Sequence, residues 1–161
     1  IDLLQWYAGM PSEVSCRVAH RVHLGIEAED TACATLLFPG GALGTVEATT
    51  AAWPGWSRRI ELCGEKGSVA LEDDQVVRWD FDEPWPDDSS IRSAKDSSSM
   101  GSGAGAPNAI TAVGHQRQLQ DLVDALRTGR APAIDGRAGR NAVAIVQAMY
   151  ESSRRQAAVA P

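Results

Sequence analysis

The chain has 161 residues, 43% apolar and 22% charged, which suits one globular domain and excludes a fibrous repeat or a wholly disordered chain. At this length folding buries roughly 70% of the unfolded surface, enough for a real core. A net charge of -6, with adjacent basic pairs only at Arg58-Arg59 and Arg154-Arg155, gives no footprint for nucleic acid. No stretch nears the roughly 20 apolar residues of a membrane span, and no charged-then-apolar leader opens the chain, so a cytoplasmic location is expected.

Ile1, Leu3, Leu4, Trp6 and Tyr7 read as the end of an amphipathic helix stopped by Gly9 and Pro11. No capping residue precedes them, so the helix is expected to start ahead of Ile1 and the chain to be part of a larger protein. From Glu13 the period changes to that of a strand: Val14, Cys16, Val18 and Val22 alternate with Glu13, Ser15, Arg17 and Arg21. Residues 31–38 and 42–52 predict two further strands joined by a Pro39-Gly40-Gly41 turn. Residues 58–63, 68–71 and 75–79 complete six strands, separated by Gly64-Glu65-Lys66-Gly67 and Asp73-Asp74.

Acidic residues and prolines, then a serine and glycine run, predict a mobile loop at about 80–107. The helical period returns with Leu119, Leu122, Val123 and Leu126, ending at Gly129. After Asp135-Gly136 a second helix carries Ala142, Ile145, Val146, Met149 and Ser153 on one stripe. The expected fold is α+β: a single domain over residues 1–161 with an open, mainly antiparallel sheet of about six strands. Helices pack on one face, and the other face, bearing Thr45, Glu47 and Thr49 or their neighbours, is free for self-association or for water.

Cys16, Cys33 and Cys63 are widely spaced and lack close Cys or His partners, so buried free thiols fit them better than a metal site, and no metal is expected. Gly101-Ser102-Gly103-Ala104-Gly105-Ala106 matches a relaxed dinucleotide-loop pattern, but no strand leads into it and Pro107 follows it. His20 and His23 end the first strand and read as surface residues. His115, near the start of a long helix, can serve as a capping or surface residue or face a cleft and donate to a substrate hydroxyl. Trp53-Pro54-Gly55-Trp56 with Arg58-Arg59 brackets a turn at a strand end. Such aromatic faces suit a sugar ring and Arg58 a carboxylate or hydroxyl, while two Trp rings suit a core cap or a subunit contact equally.

In order, Ile1-Asp2-Leu3-Leu4, Glu29-Asp30-Thr31-Ala32, Gly40 to Thr50, Arg59-Ile60-Glu61-Leu62, Gly64-Glu65 and Gly67-Ser68 resemble the C-terminal domain of the Gfo/Idh/MocA oxidoreductases, the glucose-fructose oxidoreductase and inositol dehydrogenase group. Asp121, Gly129-Arg130, Pro132, Asp135-Gly136, Gly139-Arg140 and Tyr150-Glu151-Ser152 extend the resemblance over most of the chain. It implies a parent enzyme whose N-terminal Rossmann domain binds NAD or NADP and whose C-terminal domain supplies the substrate side and the oligomer interface.

The resemblance also implies that the family's catalytic Lys and Asp-x-x-x-His motif lie ahead of Ile1-Asp2. The chain alone is then expected to be inactive, with no catalytic residue and no bound cofactor. The family's substrate loop maps near residues 53–58, where Trp, Pro and Gly stand in place of the Tyr-rich sequence of many members. Trp53, Trp56, Arg58 and His115 are thus the substrate-side candidates, with a sugar-like small molecule and a homodimer or tetramer through the open sheet face as the partners implied. A non-catalytic sheet module that dimerises or binds a small ligand is the alternative reading.

Overall fold

The computed structural model describes residues 1–73, 75–93 and 112–161. Helix α1 (Asp2–Ala8) leads to strands β1 (Glu13–Ala19), β2 (Thr31–Leu37), β3 (Leu43–Thr49), β4 (Arg59–Gly64), β5 (Gly67–Glu72) and β6 (Gln75–Phe81). Helices α2 (Asp88–Ser93), α3 (Val113–Thr128) and α4 (Gly136–Arg155) follow. The architecture is α+β, and its six strands are antiparallel and paired in chain order, as expected. They form two three-stranded sheets, β1-β2-β3 and β4-β5-β6, where a single meander was anticipated. The break falls at residues 50–58, where Pro54 has no amide hydrogen to offer a ladder. The chain divides accordingly into one compact unit of Ile1–Ala52 with Asp121–Pro161 and a second of Trp53–Gln120.

In the first unit, strand alternation sends Val14, Cys16, Ala32, Ala34 and Leu36 to one face, where they meet Ile145, Ala148 and Met149 of α4. Leu36 and Ile145 are each 1% exposed; burying a side chain of that size contributes about 1.5–3 kcal/mol. Asp135 caps α4, its carboxylate accepting from the amides of Arg137 and Ala138, and Gln156 ends it in the left-handed region at φ 56°. The buried stripe is Ile145, Ala148, Met149 and Ser152, while Val146 is 37% exposed, so the core side lies a little around the helix from the anticipated stripe. The two long helices also differ: α4 covers the sheet, but Leu119, Leu122, Val123 and Leu126 of α3 remain 40–76% exposed.

The outward edge of β1 is closed by the far end of the chain. The Val14 amide donates to the carbonyl of Val159, the Cys16 amide to Ser152 Oγ at 2.8 Å, and the Val18 amide to Ser153 Oγ at 3.2 Å. An edge strand otherwise presents such groups to any passing strand. The opposite face of this sheet is exposed and carries Ser15, Arg17, Cys33, Thr35, Thr45, Glu47 and Thr49, which assigns Thr45, Glu47 and Thr49 the outward register.

In the second unit, Phe81 lies against Gly67, where an added Cβ would stand 2.3 Å from the Phe81 ring and 2.7 Å from the Asp80 carbonyl. Phe81 and Trp79 pack with ring centroids 5.0 Å apart. Trp79 Nε1 donates to Asp88 Oδ1 at 2.8 Å, and the Trp85 amide donates to Asp88 Oδ2, which fixes the start of α2. Residues 80–93, read as the beginning of a loop, therefore contain the end of β6 and a short helix. The rest of that loop, including the Gly101–Ala106 motif, lies outside the described residues.

The cysteines correct one expectation. All three are free, but only Cys16 is buried; Cys33 and Cys63 occupy exposed strand positions. Cys33 has the parity of Thr31 and Thr35, so the pleat turns it away from α4.

Candidate functional site

Trp53, Trp56 and Arg58 lie on the stretch that precedes β4, and His115 lies on the first turn of α3; all four fall within the second unit. Gly55, at φ 95°, turns the chain between the two tryptophans. The two residues stand 93% and 86% exposed, so neither caps a core among the described residues. Arg58 is anchored through its carbonyl, which accepts from the Asp73 amide at 2.8 Å. Beside it, the Arg59 guanidinium reaches Glu61 at 2.6 Å and Glu72 at 3.8 Å, so its charge is already partly compensated. His115 is exposed, on a different element. The structure thus groups Trp53, Trp56 and Arg58 on one segment and leaves His115 separate from them in the chain. Such a segment offers two aromatic faces and a cation to a polar ring; it carries one hydroxyl, that of Ser57, and no general base.

A groove of about 290 Å³ in the same unit is lined by Val76, Val77, Arg78, Trp79, Asp80 and Arg92. Sequence reasoning missed it because it depends on α2 packing beside β6, and α2 falls in a stretch whose Pro and Asp content masks its helical character. Asp88 holds the two together, and the donated Trp79 and Trp85 bonds keep its carboxyl below the usual carboxylate range.

Asp30 organises the loop between β1 and β2. Its Oδ2 accepts the amides of Arg21, Val22 and His23 at 2.8, 2.6 and 3.1 Å, and these bonds hold its pKa far below the ordinary value. His23 Nε2 bonds the Thr50 carbonyl and His20 Nε2 the His23 carbonyl, so both histidines brace the loop. Tyr150 of α4 donates to Glu29 at 2.5 Å, which pushes its hydroxyl pKa up. Asp121 accepts from Arg130 and from the Ala133 amide and is lowered for that reason, tying α3 to the loop before α4. The Glu29-Asp30-Thr31 and Asp121, Gly129-Arg130 stretches are therefore structural fasteners.

The model of the oxidoreductase family's C-terminal α/β domain, Gfo/Idh/MocA, matches residues 1–160. The chain belongs to this family. The WlbA dehydrogenase of Bordetella pertussis, solved with NADH and UDP-GlcNAcA, is 30% identical with a TM-score of 0.81 over 99% of this chain and 44% of its own. The WlbA enzyme of Chromobacterium violaceum, solved with the same two ligands, is 30% identical with a TM-score of 0.77 over 99% of this chain and 43% of its own. An oxidoreductase from Agrobacterium radiobacter shares the fold at 20% identity and a TM-score of 0.69. No curated protein sequence matches the chain. The chain thus spans less than half the length of the solved Gfo/Idh/MocA proteins it matches. Among the described residues no strand passes through a glycine turn into a helix, the cradle a dinucleotide pyrophosphate requires, so these residues do not fit the nicotinamide cofactor. No helix among them is long and apolar enough to cross a membrane.

Proposed function

We propose that this domain is the substrate side and assembly surface of a cytoplasmic NAD(P)-dependent dehydrogenase that oxidises or reduces a CH–OH group of a sugar, polyol or related compound. The observation that carries it is the family match over residues 1–160, joined to two nearly fully exposed tryptophans on the stretch the resemblance assigns to the substrate loop. The two WlbA structures, solved with a nucleotide sugar, support a sugar-like substrate. Trp53 and Trp56 offer stacking faces, Arg58 a guanidinium for a carboxylate or hydroxyl, and His115 a hydrogen bond. The nicotinamide cofactor and the proton-transfer groups belong to the remainder of the parent protein, and the present chain alone is inactive.

The open face of the β1-β2-β3 sheet is proposed as the surface through which parent molecules form a homodimer or tetramer. Its outward Thr, Ser and charged residues, and the lack of a covering helix among the described residues, support this.

Steady-state kinetics of the intact protein test the substrate reading, with NADH followed at its own absorbance and a panel of polyols, hexoses and nucleotide sugars as substrates. Trp56→Ala is expected to raise KM for the best substrate about tenfold, as loss of one stacked ring would, while leaving NADH affinity intact. Unchanged KM values for both Trp53→Ala and Trp56→Ala would remove this loop from the substrate site.

A further inference from the structure

We propose that the groove between β6 and α2 takes an extended, acidic peptide segment of another protein, which joins the β4-β5-β6 sheet as a fourth strand. This reading is independent of the substrate loop and of the face of the first sheet.

β6 is an outer strand, with β5 on one side only. The groove of about 290 Å³ is lined by residues 76–80 of β6 and by Arg92 of α2, with nothing from β4 or β5, so it follows the free edge of the strand. Backbone parity there is fixed by the Asp82 amide, which donates to the Lys66 carbonyl at 3.0 Å. Successive residues of an antiparallel pair alternate sides. Arg78 and Asp80 therefore turn their amides and carbonyls towards Ala70 and Ser68, while Trp79 and Phe81 turn theirs outward. Among the described residues, none of these outward groups has a hydrogen-bond partner in the protein. The edge of β1 is sealed by the end of the chain; that of β6 has no such seal.

A row of alternating donors and acceptors matches another backbone, whereas a free anion would meet the carbonyls as well as the amides. The side chains select the charge of that backbone's residues. Arg78 holds Asp80 through Nε at 2.8 Å. Arg92 makes no ion pair among the described residues, and the nearby Asp88 carboxylate accepts instead from Trp79 Nε1 and the Trp85 amide. Two guanidiniums against one carboxylate leave the groove lining positive in a chain of net charge -6, and a strand bearing carboxylates at alternate positions is its complement.

Val76, Val77 and the Trp79 ring offer apolar contact to the residues between those carboxylates. Five residues at about 3.3 Å each give a run of roughly 17 Å, room for a segment of about five residues. Asp88 ties α2 to Trp79, so both walls of the groove are held before a segment arrives.

Fluorescence anisotropy of the intact protein tests this with end-blocked, dye-labelled heptapeptides. One alternates Asp and Val, one alternates Lys and Val, and the last is the acidic peptide with its amides N-methylated, which keeps the charge and loses the backbone donors. The acidic peptide is expected to bind at least about tenfold more tightly than either of the others. Arg92→Gln is expected to weaken it about fivefold, and the Trp79 and Phe81 amides to gain exchange protection on binding. The peptide comparison needs no variant, so it stands whatever the substitution does to α2. Equal affinity for the acidic and N-methylated peptides, or full displacement by millimolar inorganic phosphate, makes the groove a simple anion site and overturns the proposal. Absence of binding by the acidic peptide overturns it too, as does self-association of the protein that protects the same two amides and assigns the edge to a second copy.

Discussion

Ser152 and Ser153 accept adjacent outward amides of β1, and the two bonds differ chiefly in burial and also in length. Ser152 is 0% exposed, and its Oγ receives the amide of Cys16, itself 2% exposed, at 2.8 Å. Ser153 receives the Val18 amide at 3.2 Å in an exposed setting. Ser152→Ala strands a buried amide with no water to replace the lost acceptor, which costs about 1–3 kcal/mol. Ser153→Ala lets water take over the Val18 amide and is expected within about 0.5 kcal/mol of wild type.

Urea unfolding followed by circular dichroism measures both, with m unchanged so that the midpoint shift reads as stability. A 2 kcal/mol loss corresponds to a fall in Tm of roughly 4–8 °C for a chain of this length. Amide exchange locates the effect: Cys16 should lose protection in Ser152→Ala and Val18 should change little. Equal losses in the two variants would refute the argument that burial decides the worth of an edge-capping bond.

Gly67→Ala is expected to destabilise the β4-β5-β6 sheet by about 2 kcal/mol or more, because the added methyl meets the Phe81 ring and the fixed Asp80 carbonyl. Pairing it with Phe81→Ala should recover only part of the loss in a melting experiment, since the carbonyl remains. Asp30→Asn removes a carboxylate held far below its unfolded pKa, so it removes stability that is present above the ordinary carboxylate range and fades as pH falls through and below it. Urea midpoints between pH 3 and 7 should therefore rise with pH more steeply in wild type than in Asp30→Asn, and parallel profiles would argue against the three-amide clamp. Asp88→Ala should detach the indole hydrogen bond of Trp79 and free the start of α2, seen as a loss of near-ultraviolet dichroism with little change in far-ultraviolet signal.

Local chemistry made most of the elements readable. The alternation from Glu13, the Pro39-Gly40-Gly41 turn and the Gly64 to Gly67 turn placed all six strands within a few residues, because side-chain parity and tight turns are written in adjacent positions. Division into two sheets was not readable, since nothing local says whether β3 and β4 will share a ladder. The true core stripe of α4 was nearly readable: Ile145 and Met149 were found, but Ala148 and Ser152 hid because a small residue and a hydroxyl carry no hydrophobic signal. Ser152 matters through an amide 136 positions away, and Asp30 through three amides of a loop with no periodicity. Of the candidate site, the exposed Trp53 and Trp56 pair was conspicuous in sequence, whereas the Arg78 and Arg92 groove required the packing of α2 to exist.

The bond between the amide of Val14 and the carbonyl of Val159 sets an order of events during synthesis. The unit that contains it is built from the two ends of the chain, with Trp53–Gln120 inserted between them. The inserted unit can close as soon as it leaves the ribosome, while β1 waits through the making of more than a hundred further residues before its seal arrives. Until then its amides can pair with any strand nearby, so truncation or pausing ahead of residue 159 leaves a chain with its secondary structure in place and one adhesive edge uncovered.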